Sequence, residues 1–245
     1  MIRAAVISCL LWLALAWPSA AGAQFETDTF ATSAGDLTIT FFGHATLMLQ
    51  WGGKVIQVDP QSQYADYSRL PKADLVLITH EHRDHLDPKA VAAIRTDTTA
   101  VVLTQACTPQ VQGGMIMGNG EVKTVAGIKL EAVAAYNLVH MRGPGAPFHP
   151  KGQGNGYVLT LANRRIYVAG DTENTPEVKA LQNIAIAFLP MDLPYTMTPA
   201  MVADAARAFK PKLLYPYHFG ETDTSKLVDL LKDTPEVEVR IRQMK

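Results

Sequence analysis

An apolar run that ends in a cluster of histidines and acidic residues constrains the fold of this chain most. Residues 74–79, Asp-Leu-Val-Leu-Ile-Thr, are short, branched and almost uniformly apolar, which is typical of a strand buried on both faces. Residues 80–85, His-Glu-His-Arg-Asp-His, follow directly and hold three of the seven histidines in the chain. A buried strand that ends in imidazoles and carboxylates predicts a site at the edge of a sheet.

The spacing H-x-H-x-D-H favours metal binding over an ordinary polar turn. Neutral imidazole and carboxylate are ligands that zinc and similar ions prefer. In extended backbone His80 and His82 point the same way and can bind one ion, whereas Asp84 and His85 follow a bend and can reach a second. A zincin helix is excluded, because the residue four after His80 is Asp84 and because Pro88 places the next helix after the cluster.

Strand and helix patterns alternate along the rest of the chain and predict an α/β fold. The predicted strands cover residues 37–42, 45–50, 54–58, 74–79, 100–104, 121–124, 128–135, 157–161, 165–169, 184–189 and 212–217. The predicted helices cover residues 88–95, 199–209 and 224–231. With 48% hydrophobic residues, a chain of this length can bury one large core.

Two further ligand candidates stand where predicted strands end. Asp171 and His218 each follow the C-terminal end of an apolar strand, as His80 does. Because such strand ends meet at one rim in many α/β sites, we expect Asp171 and His218 to lie near the 80–85 segment. Taken singly, each is about as consistent with a turn cap or a core histidine.

The first 23 residues predict a secretory signal peptide. An apolar stretch over residues 4–17 is followed by Ala-Gly-Ala at 21–23, a small-residue cleavage site before Gln24. An uncleaved membrane anchor is the alternative, but Pro18 interrupts the stretch, which is short for a span of about 20 apolar residues. We therefore expect one domain over residues 24–245, no stable membrane span after cleavage, and a periplasmic or secreted location.

The charge distribution disfavours nucleic acid as a partner. The formal net charge is −1 at pH 7, and no block of Lys and Arg is present to neutralise phosphates. A nuclease is therefore disfavoured, and a small molecule is the expected partner.

The ordered set of motifs resembles the metallo-β-lactamase superfamily. The motifs are Gly43-His44-Ala45, Val58-Asp59-Pro60, the 80–85 segment, Gly170-Asp171-Thr172, Phe188-Leu189-Pro190, Tyr195-Thr196-Met197 and Pro216-Tyr217-His218. Within that superfamily the chain is similar to the ascorbate-6-phosphate-lactonase-like and N-acyl-phosphatidylethanolamine-phospholipase-like hydrolases. The resemblance implies an α/β (α+β) fold, a four-layer αββα sandwich with two metal ions at one edge.

The resemblance also implies a ligand set and a reaction. His80 and His82 would bind the first metal, Asp84, His85 and His218 the second, and Asp171 would bridge them. The cofactors would be two divalent ions, zinc first, with manganese or iron as alternatives. A hydroxide held by the metals would attack a small ester, lactone, amide or phosphodiester. Asp84 would position this nucleophile or pass its proton to the leaving group, and Asp59 is a candidate to orient a ligand imidazole.

One position departs from the family pattern. Most members carry a third histidine of the first metal where this chain carries Asn137, just after the predicted strand 128–135. An amide oxygen is a poorer ligand than imidazole for a borderline ion. Either Asn137 ligates weakly, or a water replaces it, or His140 or His149 takes its place. The departure also keeps open a non-catalytic metal-binding or ligand-binding protein on the same fold.

The long Gly- and Pro-rich loop over residues 138–155 predicts a flap over the substrate. Arg142, His149 and Lys151 would meet an anionic group, although an ordinary solvated loop is the alternative. Tyr195 is predicted either to line the same pocket or to precede the helix at 199–209. The predicted substrate-binding residues are Asn137, His149 and Tyr195.

Overall fold

Two large β-sheets form the centre of the protein in the computed structural model, which describes residues 25–245. The first sheet contains β1 (Glu26–Thr32), β2 (Gly35–Gly43), β3 (Thr46–Trp51), β4 (Lys54–Val58), β5 (Leu75–Leu77), β6 (Ala100–Leu103) and β7 (Met115–Ile116), in that spatial order. The second contains β8 (Val122–Val125), β9 (Ile128–Ala135), β12 (Gly154–Leu161), β13 (Arg164–Val168), β14 (Ile186–Pro190), β15 (Leu213–Tyr217) and β16 (Glu238–Val239), in the spatial order β16-β15-β14-β13-β12-β9-β8. A separate hairpin, β10 (Met141–Gly143) and β11 (Ala146–Pro147), lies in the loop between β9 and β12.

The sheets pack face to face, and helices cover both outer faces. The helices are α1 (Pro88–Ile94), α2 (Pro176–Lys179), α3 (Pro199–Phe209) and α4 (Ser225–Leu231). Between the sheets lies a core of inward side chains in which the rings of Phe188 and Tyr215 stack with centroids 5.1 Å apart. A second core joins α2, α3 and α4 to the second sheet, and a third joins α1 to the first sheet. This arrangement confirms the predicted four-layer αββα sandwich.

The strand directions bring several chain segments to one edge of the sandwich. In the first sheet β4, β5 and β6 run parallel, and the β2-β3-β4 meander gives β2 the same direction. In the second sheet β13, β14 and β15 run parallel. At the shared edge the amide of His218, after β15, donates to the carbonyl of His44, after β2, at 2.9 Å. The C-terminal ends of the strands therefore meet across the two sheets.

Side chains fix where the helices begin. Asp87 precedes α1 and accepts hydrogen bonds from the amides of Lys89 and Ala90, and Thr198 precedes α3 and accepts from Met201. Proline is the first residue of both helices, where its missing N–H costs no hydrogen bond. These signals are local, which is why α3 has the bounds predicted from the sequence.

Several short or peripheral elements were not predicted. They are β1, β7, the β10–β11 hairpin, α2 and β16. Strand β1 has the sequence Glu-Thr-Asp-Thr-Phe-Ala-Thr and lies at a sheet edge, so it lacks the apolar run of a central strand. Residues 1–23, the predicted signal peptide, lie outside the described residues. Among the described residues, no helix has the length and apolar character needed to cross a membrane.

An ion cluster around Asp28 ties the first strand to the end of the chain. The Asp28 carboxylate accepts from Nη2 of Arg242 at 2.6 Å, from Nη1 of Arg240 at 3.2 Å and from the Tyr215 hydroxyl. Burial alone would raise the pKa of Asp28, but these donors outweigh burial and lower it. A carboxyl whose pKa is lower in the folded state contributes stability above its unfolded pKa and loses it as pH falls through the folded pKa.

We expect Asp28→Asn to lower the free energy of unfolding by about 2 kcal/mol at pH 7, because charged hydrogen bonds to a largely buried group are lost. For a domain of this size that is a fall in Tm of roughly 4–8 °C. Thermal unfolding followed by circular dichroism at pH 7 and pH 3 measures the effect, which should shrink at the lower pH. The exposed Asp36→Asn is the matched control, and an equal loss in both variants would contradict the cluster's role.

Candidate metal centre

Five histidine and aspartate side chains predicted from the sequence meet at the shared edge of the sheets. His80 and His85 follow β5, Asp171 follows β13, and His218 follows β15. The Oδ1 atom of Asp171 lies 3.2 Å from Nε2 of His85. Its Oδ2 atom lies 3.4 Å from Nε2 of His218 and 3.8 Å from Nε2 of His80. Asp84 joins them, with Oδ2 3.5 Å from Nε2 of His218. Residues from three distant segments, including the one that carries Asp171, therefore meet at one carboxylate.

The potential ligands fall into two groups of four. One group contains His80, His82, His149 and Asp171, and the other contains His44, Asp84, His85 and His218. Within each group the candidate ligand atoms all lie within 4.8 Å of one another. Two imidazole-rich groups in contact through Asp171 form an arrangement that could hold a dinuclear metal site.

Unpartnered buried atoms show that the site fits cations. Among residues 25–245, no hydrogen-bond partner is found for Nε2 of His80, Nε2 of His85, either ring nitrogen of His218, or Oδ1 of Asp171. Leaving a buried polar atom unpaired costs about 1–3 kcal/mol, and more for a charged one. Native structures keep such atoms where a ligand satisfies them. Nitrogen and oxygen donors facing one shared space are the donor set that borderline divalent ions bind.

Electrostatics divide the histidines into two classes. Burial and the neighbouring imidazoles lower the pKa of His80, and burial and His149 lower that of His82, so both rings are neutral and ready to ligate. Burial also disfavours the charged form of His218, but the Asp171 and Asp84 carboxylates outweigh it and raise the pKa of His218 to about 9. The pKa of His85 is raised for the same reason by Asp171 and Asp59. In the metal-free protein these two rings hold protons that balance the carboxylates.

Asp59 orients His85 from behind, as the sequence suggested. Its Oδ2 atom lies 2.8 Å from Nδ1 of His85, and its carboxylate also accepts from the amide and hydroxyl of Thr79. All of these side chains are fully buried. Contact at Nδ1 leaves Nε2 of His85 facing Asp171, which is how an outer carboxylate fixes a metal-binding imidazole.

Three residues of the site have left-handed backbone conformations. The φ angles are 53° for His44, 43° for Asp59 and 45° for His218. Each follows directly on a strand, and this conformation costs a residue with a Cβ roughly 1–2 kcal/mol. Strain of this kind persists where the surroundings enforce it, and it clusters at functional sites.

His149, rather than Asn137, completes the first group. Nε2 of His149 lies 3.2 Å from Oδ2 of Asp171 and 3.2 Å from Nδ1 of His82. Asn137 lies behind this ring, where its side-chain oxygen and nitrogen are both engaged in hydrogen bonds to protein groups. Of these two predicted substrate-binding residues, Asn137 does not line the cavity, whereas His149 lines it and is also among the potential ligands. Of the three alternatives weighed for the first metal, the geometry favours the replacement histidine.

His44 was not among the predicted ligands. Its ring lies against His218 with centroids 3.7 Å apart, and its Nε2 lies 3.2 Å from Oδ2 of Asp84. Burial lowers the pKa of His44 more than Asp84 raises it. The signal was present in the sequence, because Gly43-His44 follows the apolar strand β2 as His80 follows β5.

A cavity of about 330 Å³ opens beside the two groups. Tyr195 lines it, as predicted, with its ring 5.1 Å from that of Phe148, over which the Arg142 guanidinium lies at 5.5 Å. Nη2 of Arg142 is 3.4 Å from Nε2 of His82. Lys151, also predicted to face an anionic group, instead donates to Glu177 at 2.5 Å and does not line the cavity. The cavity thus has an aromatic wall and two lining arginines, Arg83 and Arg142, of which Arg142 approaches His82.

The chain matches one family model and resembles known metal-dependent hydrolases. A family model described as the beta-lactamase superfamily domain matches residues 38–218. A UPF0173 metal-dependent hydrolase of Ligilactobacillus salivarius is 30% identical over 220 residues, covering 82% of this chain and 94% of that protein. One of Pelotomaculum thermopropionicum is 26% identical over 84% of this chain and 96% of its own.

Solved structures are similar over most of the chain. A crystal structure from Parabacteroides distasonis, named as a metal-dependent hydrolase, has a TM-score of 0.86 and 48% identity, over 91% of this chain and all of that one. Igni18, a metallo hydrolase from Ignicoccus hospitalis, has a TM-score of 0.68 at 20% identity, over 85% of this chain and 95% of that one, a likeness in fold alone.

Proposed function

The chain belongs to the beta-lactamase superfamily, and we propose that it is a dinuclear hydrolase. Its proposed substrate is a small anionic ester, lactone, amide or phosphodiester. Its relatives are metal-dependent hydrolases on the metallo-β-lactamase fold, so the chain is a metal-dependent hydrolase. This favours hydrolysis over the non-catalytic alternative. The bond, the substrate and the ligand roles are the proposal.

One observation carries the dinuclear assignment: the Asp171 carboxylate lies 3.2–3.8 Å from ring nitrogens of four histidines. We assign His80, His82 and His149 to the first metal, His85, His218 and Asp84 to the second, and Asp171 to both. When bound, the two cations would activate a water and stabilise the charge that develops on the substrate oxygen. Zinc suits this set of imidazoles and carboxylates, with manganese and iron as alternatives.

Asp84 and His44 handle the water and its proton in this proposal. The Asp84 side chain is about half exposed on the cavity wall, next to His44 and His218. Burial would raise the pKa of Asp84, but the contacts with His218 and His44 outweigh it and lower the pKa strongly. An acid held ionised in this way is a better ligand and orienting group than a base. His44, a neutral imidazole 3.2 Å away, is placed to pass the proton towards the leaving group.

Arg142 is proposed to recognise the negative charge of the substrate. It lies on the β10–β11 hairpin and is close to both His82 and Phe148. Guanidinium groups bind carboxylate and phosphate through paired N–H donors. A substrate with its anionic group at Arg142 would lie along the aromatic wall of Phe148 and Tyr195, with its scissile bond near Asp171.

We expect Arg142→Ala to raise KM for an anionic substrate roughly 10–100-fold while kcat changes little, because one charged hydrogen-bonding contact is worth about 1.5–3 kcal/mol. Steady-state kinetics on an anionic substrate and its neutral analogue measure the effect, and the neutral one should be spared. Lys151→Ala is the matched control, because it removes a cation of the same loop whose ammonium group contacts Glu177 and not the cavity. An equal rise in KM for both substrates would contradict the role of Arg142.

Metal analysis joined to a substrate panel tests the proposed function as a whole. Purified protein should contain two divalent ions per chain and should hydrolyse at least one compound in a panel of small anionic lactones, esters, amides and phosphodiesters. A chelator should remove activity, and added zinc should restore it. One ion per chain in fully active protein would overturn the dinuclear assignment.

Three finer assignments complete the proposal. The motif order and the arginines that line the cavity support the ascorbate-6-phosphate-lactonase-like branch, for which phosphorylated lactones are the discriminating members of the panel. The N-terminal 23 residues support export to the periplasm or medium as a signal-cleaved single domain over residues 24–245. N-terminal sequencing of the exported protein should begin near Gln24, and retention of Arg3 would overturn export by cleavage. The small net charge supports a small molecule rather than nucleic acid as the partner.

A further inference from the structure

We propose that Asn137 is a positioning residue that fixes the ring of His149 in one tautomer, with Nε2 towards Asp171, and so sets the affinity of the first metal site, while Glu173 anchors the loop around it. The inference rests on the proposed dinuclear centre. The sequence indicated no role for Glu173 and a substrate contact for Asn137.

Glu173 anchors the start of the loop that carries His149. Its side chain is fully buried and accepts hydrogen bonds from the backbone amides of Leu138, Val139 and His140 at 2.7, 2.7 and 2.8 Å. It also contacts Nδ1 of His140 at 2.7 Å and Nδ2 of Asn137 at 3.1 Å. Backbone N–H groups can only donate, so the Glu173 oxygens act as acceptors in this cluster. Three successive amides bound to one carboxylate hold residues 138–140 in place.

The orientation of the Asn137 amide follows from its partners. On one side it meets the Glu173 carboxylate and, at 2.9 Å, the carbonyl of Tyr195, which only accepts, so the atom on that side is the NH₂ group. On the other side it meets the backbone N–H of His149 at 2.7 Å, which only donates, so the atom on that side is the oxygen. A flipped amide would place donor against donor and acceptor against acceptor.

This orientation determines the tautomer of His149. Nδ1 of the ring lies 2.9 Å from the Asn137 oxygen, which can only accept, so Nδ1 carries the hydrogen. Nε2 then has a free lone pair, and it is this atom that lies 3.2 Å from Oδ2 of Asp171. The backbone N–H of Asn137 in turn donates to the backbone carbonyl of His149 at 2.9 Å. Side chain and backbone of Asn137 thus hold both the ring and the main chain of His149.

The hydrogen bonds to His149 and Glu173 explain why position 137 carries a side-chain amide. The residue must accept from His149 on one side and donate to Glu173 on the other, and asparagine does both. Aspartate would keep the acceptor for His149 but would place a second carboxylate against a buried one, which is destabilising. Leucine, of similar size, would keep neither contact. Metal affinity and stability therefore respond differently to these two substitutions.

Metal titration of the full-length, chelator-treated protein tests the inference. We expect Asn137→Leu to weaken one of the two Zn²⁺ binding steps by about 10–100-fold in calorimetry, the range for loss of an outer partner of a ligand histidine. The other step should be unchanged. The d–d absorption of Co²⁺ bound to the weakened site should change, because the geometry of one ligand is no longer fixed.

Two further variants separate positioning from general stability. Asn137→Asp should keep both affinities and the Co²⁺ spectrum but lower the Tm of the metal-free protein. His140→Ala is the matched control, because it removes a 2.7 Å contact to the same carboxylate without touching His149, and it should leave both binding steps unchanged.

The outcomes distinguish this inference from the proposed function. If the unsubstituted chain binds no second ion, the dinuclear proposal fails. If it binds two ions and Asn137→Leu binds both with unchanged affinity and spectrum, the positioning role is wrong. Equal weakening in His140→Ala and Asn137→Leu would also overturn it, since the effect would then belong to the whole loop. Should Asn137→Leu fail to fold, loss of first-site affinity in folded Asn137→Asp decides against the inference.

Discussion

Asp171→Ala is expected to lower kcat/KM by roughly 10³-fold or more, a loss of about 4 kcal/mol in transition-state stabilisation. The reason is geometric, because the Asp171 carboxylate lies between both groups of potential ligands, at 3.2 Å from Nε2 of His85 and 3.2 Å from Nε2 of His149. Without it, neither cation keeps its full ligand set and nothing fixes the distance between them. Metal content by mass spectrometry and turnover of the best panel substrate should fall together.

The isosteric Asp171→Asn separates chemistry from folding. It keeps the size of a buried side chain that is 4% exposed, so the sandwich should remain intact by circular dichroism while metal content and activity fall. Asp36→Asn, on an exposed part of β2, should change neither. Full activity in folded Asp171→Ala or Asp171→Asn would rule out the bridging role.

The parts of the site that the sequence predicted share one physical property. His80, Asp171 and His218 each follow a buried strand, so their positions are set by the strands, whose apolar composition is evident in the sequence. Parallel strands then bring these ends to one edge. His44 obeys the same rule and could have been found by it, since Gly43-His44 closes strand β2.

His149 could not be placed by that rule. It lies in a loop without hydrophobic periodicity, and its position depends on hydrogen bonds that join residues far apart in the chain, with Glu173 and the carbonyl of Tyr195 holding Asn137. Nothing local in the sequence distinguishes His149 from His140, nine residues before it. The elements of the fold also differ in how far local sequence determines them. Helix α3 has a threonine cap and a proline start, and its bounds were predicted to the residue. Strand β1 was not predicted, because it depends on pairing with β2.

Proton release should accompany metal binding, and the apparent affinity should rise steeply with pH. In the metal-free protein the carboxylates overcome burial and raise the pKa of His218 to about 9 and that of His85 well above its usual value. At pH 7 both rings therefore hold a proton that must leave before both can ligate. Each released proton makes affinity rise about tenfold per pH unit, so two give up to roughly 100-fold between pH 6 and 7.

Calorimetric titration of the chelator-treated protein with Zn²⁺, in two buffers of different ionisation enthalpy, counts the released protons. The count should approach two at pH 7, and the rise of affinity should become less steep above about pH 9, where His218 has lost its proton without metal. Asp171→Asn removes the carboxylate that raises both pKa values and should lower the count in whatever site still binds. An affinity that is constant from pH 6 to 8, with equal heats in both buffers, would show that the rings are already neutral. In that case the buried carboxylates would be balanced in some other way, and the electrostatic account of the metal-free centre would be wrong.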